Sequence, residues 1–272
     1  MTLPAPTADR TAIVTGASSG IGADLARNLA RRGHGVTLVA RREERLRTLA
    51  DELSAAHGIR AEVVVADLTD ADSRDAIAAA MAERGLIVDV LVNNAGLSTL
   101  GTVADSTPES EITMIRTNVE AVVHLCSLFV PGMVERRRGA VLNVASTAAF
   151  QPIPGQAGYG ATKSFVLSYT HAMRAELAGT GVSVTTLCPG PVQTEFAEVA
   201  GVNEADAMKL LPKPMWLSSV DVADQAIAGL DKNRAVVIPG LANRATAQFA
   251  YLTPRSVLMP IMAKLHPGAK GT

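Results

Sequence analysis

Seven short, mostly apolar runs, separated by stretches with helical spacing, leave this 272-residue chain few architectures to choose from. The runs are Ala12 to Val14, Val36 to Ala40, Ala61 to Leu68, Val88 to Val92, Ala140 to Ala145, Val182 to Leu187 and Ala235 to Ile238. Continuous rather than alternating apolar residues suit strands buried on both faces. Between the first two runs, Ile21, Leu25, Ala26, Leu29 and Ala30 fall on one helix face. Strand–helix–strand repetition builds a parallel sheet covered on both sides. The expectation is an α/β fold of Rossmann type, doubly wound, with a seven-stranded, mostly parallel sheet and helices on both faces. No linker divides it. Residues 1–10 read as a flexible N-terminus and 11–272 as one catalytic domain, with a substrate lid over 191–218 and a C-terminal extension over 241–272.

Composition excludes several partners. The net charge is −1, so no global field draws in nucleic acid. Cys126 and Cys188 lie in apolar runs and read as buried thiols of a reducing, cytoplasmic setting. No cysteine pair or His-Glu-x-x-His spacing suggests a metal. The first ten residues lack the apolar core of a secretory signal, and no uninterrupted apolar stretch of about 20 residues predicts a spanning helix.

The first run leads into Thr15-Gly16-Ala17-Ser18-Ser19-Gly20-Ile21-Gly22. Glycines between a strand and a helix let the backbone approach a pyrophosphate, and the helix start offers unpaired N–H groups. Gly16, Ser18, Ser19, Gly20, Ile21 and Gly22 are therefore cofactor candidates. The second run ends at Arg41 and Arg42. At that place an acid suits the 2′-hydroxyl of NAD and a cation the 2′-phosphate of NADP. Two arginines and no acid make NADP(H) the preferred partner and NAD(H) the second candidate; the alternative is that both merely begin a solvated helix face. Asp67 and Leu68 close the third run, Asp67 reaching the adenine or capping the helix near Asp70.

Tyr159 and Lys163 stand four apart on one helix face. A cation so placed favours phenolate and lowers a tyrosine pKa toward neutrality, which suits a general acid or base. Ser146 ends the fifth run, on the edge where such sheets bind ligands.

These residues resemble the short-chain dehydrogenase/reductase family, in its single-domain branch, over roughly Thr11 to Gly240. Thr15, Gly16, Gly20 and Gly22 match its cofactor loop, and Asn93-Asn94-Ala95-Gly96 the segment beside the cofactor. Asn118, Ser146, Tyr159 and Lys163 match its catalytic tetrad, and Pro189-Gly190 with Thr194 the stretch near the nicotinamide. The resemblance implies that Tyr159 exchanges a proton with the substrate oxygen and that Ser146 orients it. Lys163 would hold the ribose and depress the Tyr159 pKa. Asn118 would hold a relay water, and Val192 with Thr194 would anchor the carboxamide. It also implies a homodimer or homotetramer, formed through helices around Val119 to Met133 and Tyr159 to Ala178, with Ser168 and His171 at the contact. The carbonyl or alcohol substrate is expected to be small to medium and apolar. It would lie under Phe196, Val199, Met208, Leu210, Leu211, Met215 and Trp216, beside Leu97, Phe150 and Ile153. The extension has three roles open to it: packing on the body or a second subunit, roofing the substrate site, or lying on a membrane surface. The rival reading is a catalytically silent nicotinamide-binding regulatory protein.

Overall fold

The computed structural model describes residues 3–196 and 212–265. Val199, Met208, Leu210 and Leu211 of the expected lid, and the end of the extension past Leu265, lie outside the described residues. The strands are β1 (Arg10–Thr15), β2 (Gly35–Ala40), β3 (Ala61–Val65), β4 (Ile87–Asn93), β5 (Gly139–Val144), β6 (Val182–Leu187) and β7 (Val236–Val237). They form one seven-stranded sheet in the order β3-β2-β1-β4-β5-β6-β7, with every pair parallel. Strand order reverses between β1 and β4, the switch point at which a crevice opens along the C-terminal edge.

Alternate residues serve the two faces. Ala12, Val14, Val90, Val92 and Leu142 pack on one side against Leu25 and Leu29 of α1 (Gly20–Arg31) and Ile227 of α7 (Ser219–Asp231). Ile13, Leu91 and Val141 pack on the other, against Ile77, Leu125 and Val166. Those three belong to α3 (Ala71–Glu83), α5 (Ala121–Glu135) and α6 (Ala157–Glu176). The remaining helices are α2 (Glu43–His57), α4 (Pro108–Ile115), α8 (Leu241–Leu252) and α9 (Arg255–Leu265).

Two strands are shorter than expected. β3 stops at Val65 because Asp67 turns back on itself, its carboxylate accepting from the Thr69 N–H at 3.0 Å and hydroxyl at 2.8 Å. β7 pairs through only two residues at the sheet edge. At the other end of the chain, Leu3 is packed into the core and its N–H donates to Asp231 at 3.2 Å.

The run Pro108–Glu135 joins α4 and α5 through a π-helical turn, Arg116–Glu120. It is the one described helix long and apolar enough, by length and composition, to cross a membrane. Its inner side is nevertheless committed to the body of the protein, with Met114, Asn118, Leu125, Cys126 and Met133 buried. The face of α6 expected to meet a second copy carries exposed Phe165, Ser168 and His171.

Leu142 is fully buried at the centre of the sheet. Leu142→Ala leaves a cavity there and lowers the unfolding free energy by about 2–5 kcal/mol, as read by urea titration.

Candidate active site

Each predicted functional stretch leaves the C-terminal end of a strand: the glycine loop from β1, Arg41 and Arg42 from β2, Asp67 and Leu68 from β3, Asn94 to Gly96 from β4, Ser146 from β5, and Pro189 to Thr194 from β6. These residues converge on one cavity of about 610 Å³, which Tyr159 and Lys163 of α6 also line.

The glycine loop is shaped by close approach. A Cβ on Gly22 would stand 2.3 Å from the Gly16 carbonyl oxygen, and Gly16 itself has φ +66°. Ser19 precedes α1 without a side-chain cap, so the first N–H groups of that helix open on the cavity. Thr15 ties this loop to β4: its hydroxyl oxygen accepts from the N–H groups of Asn94 and Ala95, both at 3.0 Å. The Asn94 amide returns a bond to the Thr15 carbonyl at 2.9 Å.

The two arginines part company. Arg41 lines the cavity and has no hydrogen bond among the described residues. Arg42 is engaged, donating to Ser18, Ser19 and the carboxylate of Glu195. The wall at Leu68 is braced from behind by Arg74, which is 1% exposed and donates to the Leu68 carbonyl at 2.7 Å. Asp67 makes the Thr69 turn rather than a helix cap; Asp70 caps α3 through the Ser73 N–H.

At the far end, Ser146 accepts from the Ala148 N–H at 3.1 Å and donates to the Pro189 carbonyl at 3.4 Å, and Tyr159 lines the same cavity. Ser146 is thus a local cap and a cavity residue at once. The Lys163 ammonium is buried, donates to the Val144 carbonyl at 3.0 Å and lies 5.7 Å from the centre of the Tyr159 ring. Burial lowers its pKa to about 8. Burial also raises the Tyr159 phenol, against the opposing pull of the Ser146 hydroxyl. The direction is opposite to the one expected from the Lys163 charge, because stripping water from the phenol outweighs its polar contacts here. Cys188, between β6 and Pro189, is pushed by burial up to about 12 and stays a thiol.

Asn118 sits behind the cavity wall, close to Lys163: a Cβ on Gly96 would lie 3.4 Å from its Oδ1 and 3.3 Å from the Lys163 nitrogen. The Asn118 side chain does not line the cavity; it sits on the π-helical turn, accepting from the Leu97 N–H at 2.8 Å and donating to the Leu97 carbonyl at 2.9 Å and the Thr162 hydroxyl at 3.0 Å. It braces the cavity wall from behind.

The sequence model described as short chain dehydrogenase matches residues 10–205. A sulfoacetaldehyde reductase of Chromohalobacter salexigens is 38% identical over 78% of this chain and 84% of its own length. A short-chain dehydrogenase from Sphingobium yanoikuyae, solved in complex with NADPH, superposes with a TM-score of 0.79 at 32% identity, covering 97% of this chain and 98% of that one. This chain belongs to the short-chain dehydrogenase family. Membership makes it an NAD(P)-dependent oxidoreductase. A structure concerned with 7β-hydroxysteroid dehydrogenase stereoselectivity, at 27% identity and TM-score 0.82, covers 97% of the chain and all of its own.

Some cavity residues of this short-chain dehydrogenase carried no motif. Asn243, Thr246, Ala247 and Ala250 of α8 and Met262 of α9 also line the cavity, as do Leu97 and Ile153. Asn243 is fully buried and lies flat on the chain near Pro189: a Cβ on Gly190 would meet its Oδ1 at 2.3 Å. Nothing in the sequence sets Asn243 apart from the neighbouring polar residues Arg244, Thr246 and Gln248. Phe150, expected to line the substrate side, turns away and meets Tyr251 edge-on, ring centres 6.3 Å apart.

Gly22→Ala has no room for its methyl group. It should weaken dinucleotide binding by tenfold or more, about the cost of one overpacked contact, in a calorimetric titration.

Proposed function

We propose that this protein interconverts a carbonyl and an alcohol with NADP(H), Tyr159 being the proton donor or acceptor and the substrate a small to medium apolar ketone, aldehyde or secondary alcohol. The observation that carries the reading is the convergence of Ser146, Tyr159 and Lys163 on the cavity that the glycine loop opens.

The chain's own residues fit a dinucleotide. The uncapped start of α1 and the loop at Gly16 to Gly22 would hold the pyrophosphate, and Asp67 and Leu68 the adenine. Arg41, whose guanidinium makes no hydrogen bond among the described residues and whose charge is felt by Asp67, would meet the 2′-phosphate, with Arg42 beside it. Asn94 to Gly96, Pro189, Gly190, Val192 and Thr194 would flank the nicotinamide end. When bound, the cofactor supplies or accepts a hydride. The NADPH held by the Sphingobium yanoikuyae structure supports the choice of phosphate-bearing cofactor.

In reduction, Ser146 donates a hydrogen bond to the substrate oxygen and Tyr159 gives it the phenol proton. The phenolate left behind is stabilised by the buried Lys163 charge. A phenol whose pKa is raised keeps its proton at neutral pH, which suits the donor role. In oxidation the same group must first lose that proton, so kcat/KM for the alcohol rises with pH. Asn118 acts through Leu97 and Thr162 rather than on the substrate.

The substrate end is walled by Leu97, Ile153, Phe196, Met215, Ala250 and Met262. Among the described residues no cation lines that end, which disfavours a sulfonate-bearing aldehyde and favours an apolar one.

NADPH oxidation over a panel of ketones tests the activity. Tyr159→Phe is expected to lower kcat by about 10²–10⁴ while keeping NADPH binding, and to abolish the alkaline rise in alcohol oxidation. Full activity in that variant would end the assignment of Tyr159. Arg41→Ala is expected to weaken NADPH about tenfold and leave NADH unchanged; equal affinity of the unaltered protein for both cofactors would remove the NADP preference.

A further inference from the structure

An acid stands among the cations of the ribose end. Glu195 follows Thr194 on the segment leaving β6, and its carboxylate reaches across to α2. Oε2 accepts from Arg42 Nη1 at 2.8 Å, and the two oxygens accept from Arg45 Nη1 at 2.8 and 2.9 Å. The two guanidiniums hold its pKa down to about 2, so it is charged throughout the working range. The remainder of Arg42 faces the glycine loop. Its Nε and Nη2 donate to Ser18 at 3.1 and 3.0 Å, and Nη2 donates to Ser19 at 2.7 Å.

A guanidinium has five N–H donors. Four hydrogen bonds already leave Arg42, one of them to a carboxylate. Nε and Nη2 spend their three hydrogens on Ser18 and Ser19, and Nη1 spends one of its two on Glu195, so a phosphate arriving at Arg42 has only Nη1 to use. Carboxylate and phosphate therefore compete for that nitrogen. A dinucleotide without the 2′-phosphate makes no such demand.

We propose that Glu195 is an internal counter-anion for the 2′-phosphate site, occupying Arg42 and Arg45 until that phosphate displaces it. The proposal rests on the reading that this end of the cavity receives NADP(H). It makes Glu195 a specificity-determining residue that subtracts affinity from the phosphorylated cofactor alone. It also gives the phosphate a mechanical reach. The next residue, Phe196, lies against Tyr159 with ring centres 5.9 Å apart, so freeing Glu195 loosens a neighbour of the proposed proton donor.

The test is calorimetric, on the full chain, with three probes: NADPH, NADH and adenosine 2′,5′-bisphosphate. Glu195, Arg42 and Arg45 side chains are all exposed by more than two-fifths, so Glu195→Gln removes a charge without disturbing the core. The variant is expected to bind NADPH and the bisphosphate about three- to fivefold tighter, the range of an exposed ion pair, with NADH unchanged. An unchanged or weaker affinity for NADPH and the bisphosphate would overturn the proposal, as would equal tightening of NADH. The bisphosphate reports on the anion site directly. If the unaltered protein favours neither cofactor, the NADP assignment fails, while tightening of the bisphosphate in Glu195→Gln still upholds displacement and its absence still refutes it.

Discussion

Two loops that leave the sheet in opposite directions are held together by one hydroxyl. Where the strand order turns between β1 and β4, Thr15 accepts from two successive N–H groups and donates to the Val92 carbonyl at 3.3 Å. A hydroxyl has one proton and two lone pairs, so its capacity is used in full. This stitch sets the distance between the glycine loop and the floor of the cavity: a Cβ on Gly16 would come within 2.9 Å of the Ala95 Cα, and one on Gly96 within 3.3 Å of the Lys163 nitrogen. The glycine loop and Lys163 thus share a wall only a few atoms thick.

A second polar chain aligns α6 with the sheet. Asn93 and Asn143 face each other in the β4–β5 register and join at 2.8 Å; Asn143 then donates to Thr170 at 3.0 Å, and Thr170 to the Val166 carbonyl at 2.6 Å. Apolar contact alone tolerates sliding of a helix along a sheet. Buried amides do not, because a slip leaves a donor or acceptor without a partner in a low-dielectric interior. The ladder thereby places Tyr159 and Lys163 relative to Ser146 at the end of β5.

Much of this was legible in the residues, and the exceptions have physical reasons. Buried parallel strands must be apolar on both faces, so all seven could be read directly, and the glycines announced the loop because no other residue fits at Gly22. Local motifs were readable where one short stretch carries the whole requirement. Arg41 and Arg42 looked equivalent in the sequence; only the fold brings Glu195, some 150 positions away, onto one of them and not the other. In the sequence the nearest charge to Tyr159 is Lys163, whereas its environment is set by everything that excludes water around it. Asn118 matched a motif, yet its reach is decided by a π-helical turn that residue spacing does not reveal. The walls supplied by α8 and α9 come from a segment without any pattern beyond apolarity.

That last segment lies outside residues 10–205, the part the family model matches, and yet Asn243 rests on Gly190, and Ala250 and Met262 line the cavity. One wall of the cavity is therefore lent by a stretch of chain remote from the loops that form the rest. A change in the terminal helices reshapes that wall while Leu97 and Ile153 keep their places, and the buried asparagine, seated on Gly190, is what joins the two parts.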